Sequence, residues 1–252
     1  MTGLRRALLR WYARERRDLP WRRTTDPYAI LVSEMMLQQT QAARVVGRYE
    51  AWLARWPTVE ALAAAPPADA VREWVGLGYN RRALALHAAA VKVAAQGWPD
   101  DLRRLPGVGP YTAAAVGAFA FGRPVAAVDT NVRRVVERLG CGSADDLLPR
   151  GRAAEWNQAM MELGATVCTA RAPGCERCPV RRWCARLVAA PRPARARERF
   201  EDTNRWVRGQ VVAALAAGRP LPRIEVARLA PALAGLERDG LIVQEAGAVR
   251  LR

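Results

Sequence analysis

The chain predicts an all-α body followed by a small α/β module at its C-terminal end, and three observations carry that reading. Apolar residues recur at three- and four-residue spacing through most of the first 190 positions. Strand-like alternation is scarce there, and glycine, proline or aspartate separates one helical run from the next. The stretch AAPRPARARERF at 189–200, rich in arginine and proline, then breaks the pattern as a linker would.

The N-terminal stretch MTGLRRALLRWYARERRDLPW is basic and amphipathic, with no uninterrupted apolar core of the kind a secretory signal needs. No later stretch approaches about 18 apolar residues without charge, so the expectation is a soluble cytoplasmic protein with no membrane partner. From Ile30 the chain reads as a helix on which Glu34, four residues after Ile30 and three before Leu37, borders an apolar face. Between Gln41 and Trp56, Val45, Tyr49, Trp52, Leu53 and Trp56 form a helical stripe. Residues 62–75 divide into two short helices at Pro66 and Pro67. Further helical runs cover 82–94, 111–121, 132–139 and 156–164. After the linker, VRGQVVAALAAG and EVARLAPALAGLERDG are helices, and LIVQEAGAVRLR is a short hairpin turning at Ala246 and Gly247. Together they suggest a winged-helix-like unit, the alternative being a packing appendage without a ligand.

With 252 residues, 51% of them hydrophobic, the chain can bury a large core and is not a disordered tail. Its formal net charge of +16 predicts attraction to a polyanion, and nucleic acid is the first partner to consider. Lys92 is the only lysine, so the positive charge is almost wholly guanidinium, suited to phosphate contacts and base stacking.

Four cysteines stand in the run CTARAPGCERCPVRRWC, where Cys168, Cys175, Cys178 and Cys184 are spaced C-x6-C-x2-C-x5-C. Such clustering suits a metal centre better than a disulfide framework, and Cys141, which stands apart, reads as a small buried residue or a free thiol. His87 is the only histidine, so four thiolates are the expected ligand set, compatible with zinc or with an iron-sulfur cubane. In LPGVGPYT, Gly107 and Gly109 allow tight turns and close backbone approach at a helix entrance, a favourable geometry for a phosphate. Asp129, in AVDTNVRRV, is placed to cap the helix starting at Thr130. Glu34, partly buried by Met35, Met36 and Leu37, could keep its proton near neutrality and act as a general acid; the alternative is a salt-bridged glutamate at a helix edge.

The cysteine spacing resembles the cluster loop of the helix-hairpin-helix DNA glycosylases related to endonuclease III, which implies a [4Fe-4S] cluster rather than zinc. LPGVGPYT followed by VDTNVRRV strengthens the likeness, and LPWR, DPY, SEMMLQQT and GLGYNRR resemble the adenine DNA glycosylase branch, over about residues 19–188. The fold so implied has a six-helix domain with the hairpin at 22–126, an iron-sulfur cluster domain from 1–21 and 127–190, and the winged-helix-like module at 197–252. By the same resemblance Glu34 protonates adenine at N7 and assists water activation, while Asp129 stabilises the sugar cation or a transient covalent adduct. Tyr111 touches the reaction centre and Asn131 positions groups beside it. Arg22 matches a base-pocket contact, Gln39 and Thr40 lie near the strand carrying 8-oxoguanine, and Tyr79 is an aromatic wedge inserted beside that base. Tyr111 also stands where bifunctional relatives carry a Schiff-base lysine, which implies base excision without efficient strand cleavage.

The implied activity is therefore a monofunctional glycosylase acting in base excision repair on adenine mispaired with 8-oxoguanine or guanine. The expected partner is duplex DNA bearing the mismatch or the oxidised guanine, met by a nucleoid-associated monomer. Two departures stand out: Asn80 replaces the second aromatic of GLGYY, and residues 197–252 are too few for the Nudix-like 8-oxoguanine reader of many relatives. The rivals are a thymine or uracil mismatch glycosylase of the same fold and a noncatalytic DNA-binding protein. Glu34 and Asp129 argue against the latter, because pure binding needs no carboxylates that would repel phosphate.

Overall fold

The computed structural model describes residues 2–186, 198–245 and 248–252. In chain order its α-helices are α1 (Thr2–Glu15), α2 (Pro27–Leu37), α3 (Ala42–Arg55), α4 (Val59–Ala64), α5 (Pro67–Trp74) and α6 (Arg81–Gln96). They continue with α7 (Pro110–Phe121), α8 (Thr130–Leu139), α9 (Ala144–Leu147), α10 (Ala153–Thr166), α11 (Asn204–Ala216) and α12 (Val226–Arg238). Two short strands, β1 (Ile242–Glu245) and β2 (Ala248–Leu251), follow. The chain forms two compact units, one comprising the described residues of Met1–Glu34, Asp101–Arg103 and Val108–Pro193, the other those of Met35–Asp100, Arg104–Gly107 and Ala194–Arg252.

The first unit is built on α1, α8 and α10. Leu4, Leu8, Leu9 and Tyr12 of α1 share one core with Val132, Val135 and Leu139 of α8 and with Trp156, Ala159, Met160 and Leu163 of α10. Cys168, Cys178 and Cys184 pack against the same core, as does Cys141, which is half-buried. Helix α2 is capped by Asp26, which accepts from the backbone N–H groups of Tyr28 and Ala29 at 3.1 Å each. Residues Tyr28 to Val32 and Glu34 are all buried, so α2 has no polar face and Glu34 lies inside rather than at the edge of an apolar stripe. The spacing argument assumed a helix half in water; a helix covered on all sides removes that edge.

In the second unit the tryptophans of the predicted stripe meet edge to face, Trp52 lying 4.7 Å from Trp56 and 5.5 Å from Trp74 between ring centroids. Proline separates α4 from α5, as the sequence predicts, because Pro66 and Pro67 cannot continue the preceding ladder. Small residues on α6, among them Ala83, Ala89 and Ala90, are fully buried. The C-terminal elements belong to this unit: α11 and α12 pack on each other, and β1 pairs antiparallel with β2, Ile242 facing Leu251. The expected turn at Ala246 and Gly247, and most of the expected linker, lie outside the described residues.

Helices α8 and α10 approach unusually closely. A Cβ on Gly164 would sit 2.7 Å from the Asn131 Cβ and 3.1 Å from that residue's backbone, a distance at which backbone must move. Gly109 differs, since its φ of −85° suits any residue and a Cβ there meets nothing within 4 Å. Gly164→Ala should therefore cost about 1–3 kcal/mol in denaturant unfolding, whereas Gly109→Ala should change stability by less than about 1 kcal/mol. Equal effects from the two substitutions would contradict the close contact between α8 and α10.

Candidate active site and thiol cavity

Three polar side chains from three segments of the first unit come together: Glu34 from α2, Tyr111 from the first turn of α7 and Asp129 at the head of α8. Glu34 is 4% exposed, and its Oε2 is buried without a hydrogen-bond partner among the described residues. Burial raises its carboxyl from 4.5 to about 7, the Tyr111 hydroxyl opposes the rise by hydrogen bonding, and the negative charge of Asp129 adds to it. Burial likewise pushes the Tyr111 phenol well above its ordinary value, with both carboxylates reinforcing the effect. Tyr111 therefore stays a protonated phenol, and its oxygen also lies 3.9 Å from the Met161 sulfur.

Asp129 caps α8, its Oδ1 accepting from the Val132 N–H at 2.6 Å while Oδ2 accepts from the Asn131 side-chain amide at 2.8 Å. Capping and proximity to Glu34 thus fall to one carboxylate, because the site is built at a helix entrance. Asn131 is held in turn by Arg134, whose guanidinium donates to Asn131 Oδ1 at 2.8 Å, to the Gly164 carbonyl at 2.7 Å and to the Cys168 carbonyl at 2.8 Å.

Gly107 takes φ +74°, and a Cβ there would strike Ala85 and Met35 at 2.7 Å, so both conformation and space demand glycine. Gly109 precedes α7 without a side-chain cap, Pro110 fills the first helical position, and the surroundings of Gly109 are open. The only lysine, Lys92, donates to the Arg104 carbonyl at 2.9 Å in the second unit.

Cys168, Cys175, Cys178 and Cys184 line one cavity together with Arg138, Arg181, Arg186, Val167 and Pro173. Among the described residues no three ligating side chains converge on a point where a single ion would sit. The four cysteines line one space all the same, and an all-thiol donor set suits zinc or an iron-sulfur cubane. Arg138 fastens the loop to α8, donating to the carbonyls of Thr169 at 2.7 Å and Ala170 at 3.0 Å and to the Cys168 sulfur at 3.3 Å.

Arg22 has a 10% exposed side chain whose guanidinium donates to Glu162 Oε2 at 2.6 Å and to the Arg17 carbonyl at 3.0 Å. Burial alone would raise the fully buried Glu162, but hydrogen bonds from Arg17 and Arg22 outweigh it and hold the carboxyl below its ordinary value. In the second unit Gln39 and Tyr79 adopt left-handed backbone conformations, with φ of 57° and 48°. Their two turns are bound side by side by Arg82, which is 9% exposed and donates to the carbonyls of Met35, Gln38, Leu77 and Gly78. Thr40 Oγ1 reaches the Leu77 carbonyl at 3.5 Å.

Arg82, Arg134 and Arg138 were not singled out from the sequence. The last two had a legible signal, since their i, i+4 spacing places both on one side of α8. Arg82 had only its place after GLGYN, and nothing local distinguishes it from the adjacent Arg81.

A family model described as HhH-GPD superfamily base excision DNA repair protein matches residues 32–154. An adenine DNA glycosylase of Mycobacterium tuberculosis is 47% identical over 246 residues, covering 87% of this chain and 81% of that one. The adenine DNA glycosylase of Mycolicibacterium smegmatis is 44% identical over 270 residues, covering 95% and 92%. Among solved structures, a thermostable thymine-DNA glycosylase aligns with a TM-score of 0.67 at 32% identity, over 73% of this chain and 94% of that one. The chain belongs to the HhH-GPD superfamily of base excision DNA repair proteins, in its adenine DNA glycosylase branch.

Proposed function

We propose that the protein is a monofunctional DNA glycosylase that hydrolyses the N-glycosidic bond of adenine mispaired with 8-oxoguanine or guanine. The observation that carries the proposal is Glu34, a carboxyl raised to about 7 whose buried Oε2 has no hydrogen-bond partner among the described residues. A group of that kind is a proton donor waiting for an acceptor.

The adenine nucleotide leaves the stack to reach the carboxylates. Glu34 gives its proton to N7, the bond between C1′ and N9 breaks, and its electrons go to the base. Positive charge then develops at the sugar, and two carboxylates, Asp129 and the newly ionised Glu34, stabilise it more than they stabilise the neutral ground state. Water adds to C1′ and returns a proton to Glu34, leaving free adenine and an abasic site. Asn131 and the α8 backbone hold both oxygens of Asp129 in place. Tyr111 hydrogen-bonds Glu34 and, as a protonated phenol, offers no amine for a Schiff base.

DNA phosphate is held at the α7 entrance, where Gly107 and Gly109 keep the backbone approachable, and by arginines around the cysteine loop. Gln39, Thr40 and Tyr79 contact the strand opposite the adenine, with Tyr79 as the wedge, and Arg22 shapes the base pocket through its bond to Glu162. The enzyme acts as a nucleoid-associated monomer; no helix among the described residues is long and apolar enough to cross a membrane. Cys168, Cys175, Cys178 and Cys184 hold a [4Fe-4S] cluster, supported by the shared cavity and the all-thiol donor set. When bound, that cluster supplies four covalent ties that fix the loop and its arginines. Removal of thymine or uracil is a second reading, favoured by the likeness to the thymine-DNA glycosylase structure. Excision assays on duplexes bearing A, T or U opposite G and 8-oxoguanine decide between them.

Glu34→Gln should lower the single-turnover rate of adenine release by about 100-fold or more while retaining DNA binding; a near-normal rate refutes the acid assignment. The same variant tests burial directly. A glutamate near 4.5 when unfolded and about 7 when folded binds its proton more tightly in the native state, so its stability contribution is full below 4.5 and is lost as pH rises to 7. Glutamine escapes that loss, so the variant should match wild type near pH 4 and exceed it by ~3 kcal/mol at pH 8 in equilibrium unfolding.

Iron and acid-labile sulfide in anaerobically purified protein should each approach four per chain, and stoichiometric zinc without iron would overturn the cluster. Borohydride should trap no covalent enzyme–DNA adduct during turnover, whereas an efficient trap would reject the monofunctional mechanism.

A further inference from the structure

The C-terminal elements reach an exposed aromatic that is 126 residues away in sequence. Arg205, in the first turn of α11, donates from Nη1 to the Tyr79 hydroxyl at 2.7 Å. Its guanidinium carbon lies 5.4 Å from the Tyr79 ring centroid and 4.9 Å from that of Phe200. Tyr79 is 43% exposed and Phe200 48%, and a large ring left that open forgoes burial unless something else covers it. The backbone beneath Tyr79 is strained, with φ +48°, and is held by the buried Arg82. A constrained, exposed aromatic set against an arginine and a second aromatic is the composition of a stacking platform for an unpaired base.

We propose that Arg205 and Phe200 complete, with Tyr79, a reading surface for the purine opposite the excised base, and that Arg205 determines specificity there. The inference rests on the adenine-excision reading above. Oxidation turns guanine N7 from an acceptor into an N–H donor and adds an acceptor oxygen at C8, so a planar guanidinium directed at that oxygen tells the oxidised base from guanine. Gln39 and Thr40 stand on the turn that Arg82 binds beside the Tyr79 turn, so the assigned opposite-strand contacts and Arg205 share one unit. A simple phosphate clamp would need only charge; this arrangement also supplies ring faces and a fixed donor direction.

The test compares full-length wild type, Arg205→Ala, Arg205→Lys and Arg219→Ala, the last removing the same charge from an exposed site of the same module. Binding is measured on duplexes carrying an uncleavable adenine analogue opposite 8-oxoguanine or guanine, alongside adenine release from the natural mispairs. The preference for 8-oxoguanine over guanine should fall about 10-fold in Arg205→Ala. Arg205→Lys, which keeps the charge and loses the planar fork, should lose it too, while Arg219→Ala keeps the wild-type ratio. An active wild type whose Arg205 variants retain its preference overturns the inference alone. So does an equal loss on both duplexes in Arg205→Ala and Arg219→Ala, which is the signature of charge. A change in melting temperature with an unchanged preference assigns Arg205 to packing and also overturns it. A wild-type chain that neither releases adenine nor prefers either duplex overturns both readings together.

Discussion

The desolvation of Glu34 is the constraint on which the site depends. A carboxyl inside a helix with no polar face is costly to ionise, and the neighbouring Asp129 makes it costlier. Water would relieve both effects, so the apolar residues of α2 set the acidity of Glu34 as much as the carboxyl itself does. Tyr111 works in the opposite sense: its hydrogen bond moderates the rise and leaves Glu34 near neutrality, where it can both lose and regain a proton. A fully buried carboxyl beside a half-buried one is the arrangement that the proposed acid and stabilising anion require.

Helix α8 gives that pair its geometry. Asp129 begins the helix, Arg134 one turn later binds Asn131, Gly164 and the Cys168 carbonyl, and Arg138 binds the cysteine loop. The close approach at Gly164 allows the Arg134 side chain to span both elements, since any larger residue would push α10 away from Asn131. Fixing Asp129 and fixing the cysteine loop are consequently two ends of one packing problem in the first unit, solved by a ten-residue helix.

Much of this was readable from residue order alone. Helical spacing located the stripe of Val45, Tyr49 and Trp52, the prolines at 66 and 67 divided α4 from α5, and the tail showed its two helices and strand pair. Local patterns of this kind are set by neighbours within one turn. Asp129 was legible as a cap for the same reason. The depth of Glu34 was not, because periodicity assumes one wet face and α2 has none. The contact between Arg205 and Tyr79 was beyond reach, since it joins segments 126 positions apart and neither carries a local signal of the other.

The charge of +16 also needs reinterpretation once the arginines are placed. Arg82, Arg134 and Arg138 use their guanidinium groups on internal backbone carbonyls, and Arg17 and Arg22 share the buried Glu162. These are cross-links between loops and helices, made by the side chain best able to satisfy several carbonyls at once. Lysine, with three donors on a flexible stem, could not span two turns as Arg82 does, which gives a structural reason for the near absence of lysine beside any bias of composition. Only the outward-facing remainder is available to neutralise phosphates. The salt dependence of DNA binding should then reflect that smaller number of contacts rather than the formal charge, because counterions are released where arginine meets phosphate and nowhere else.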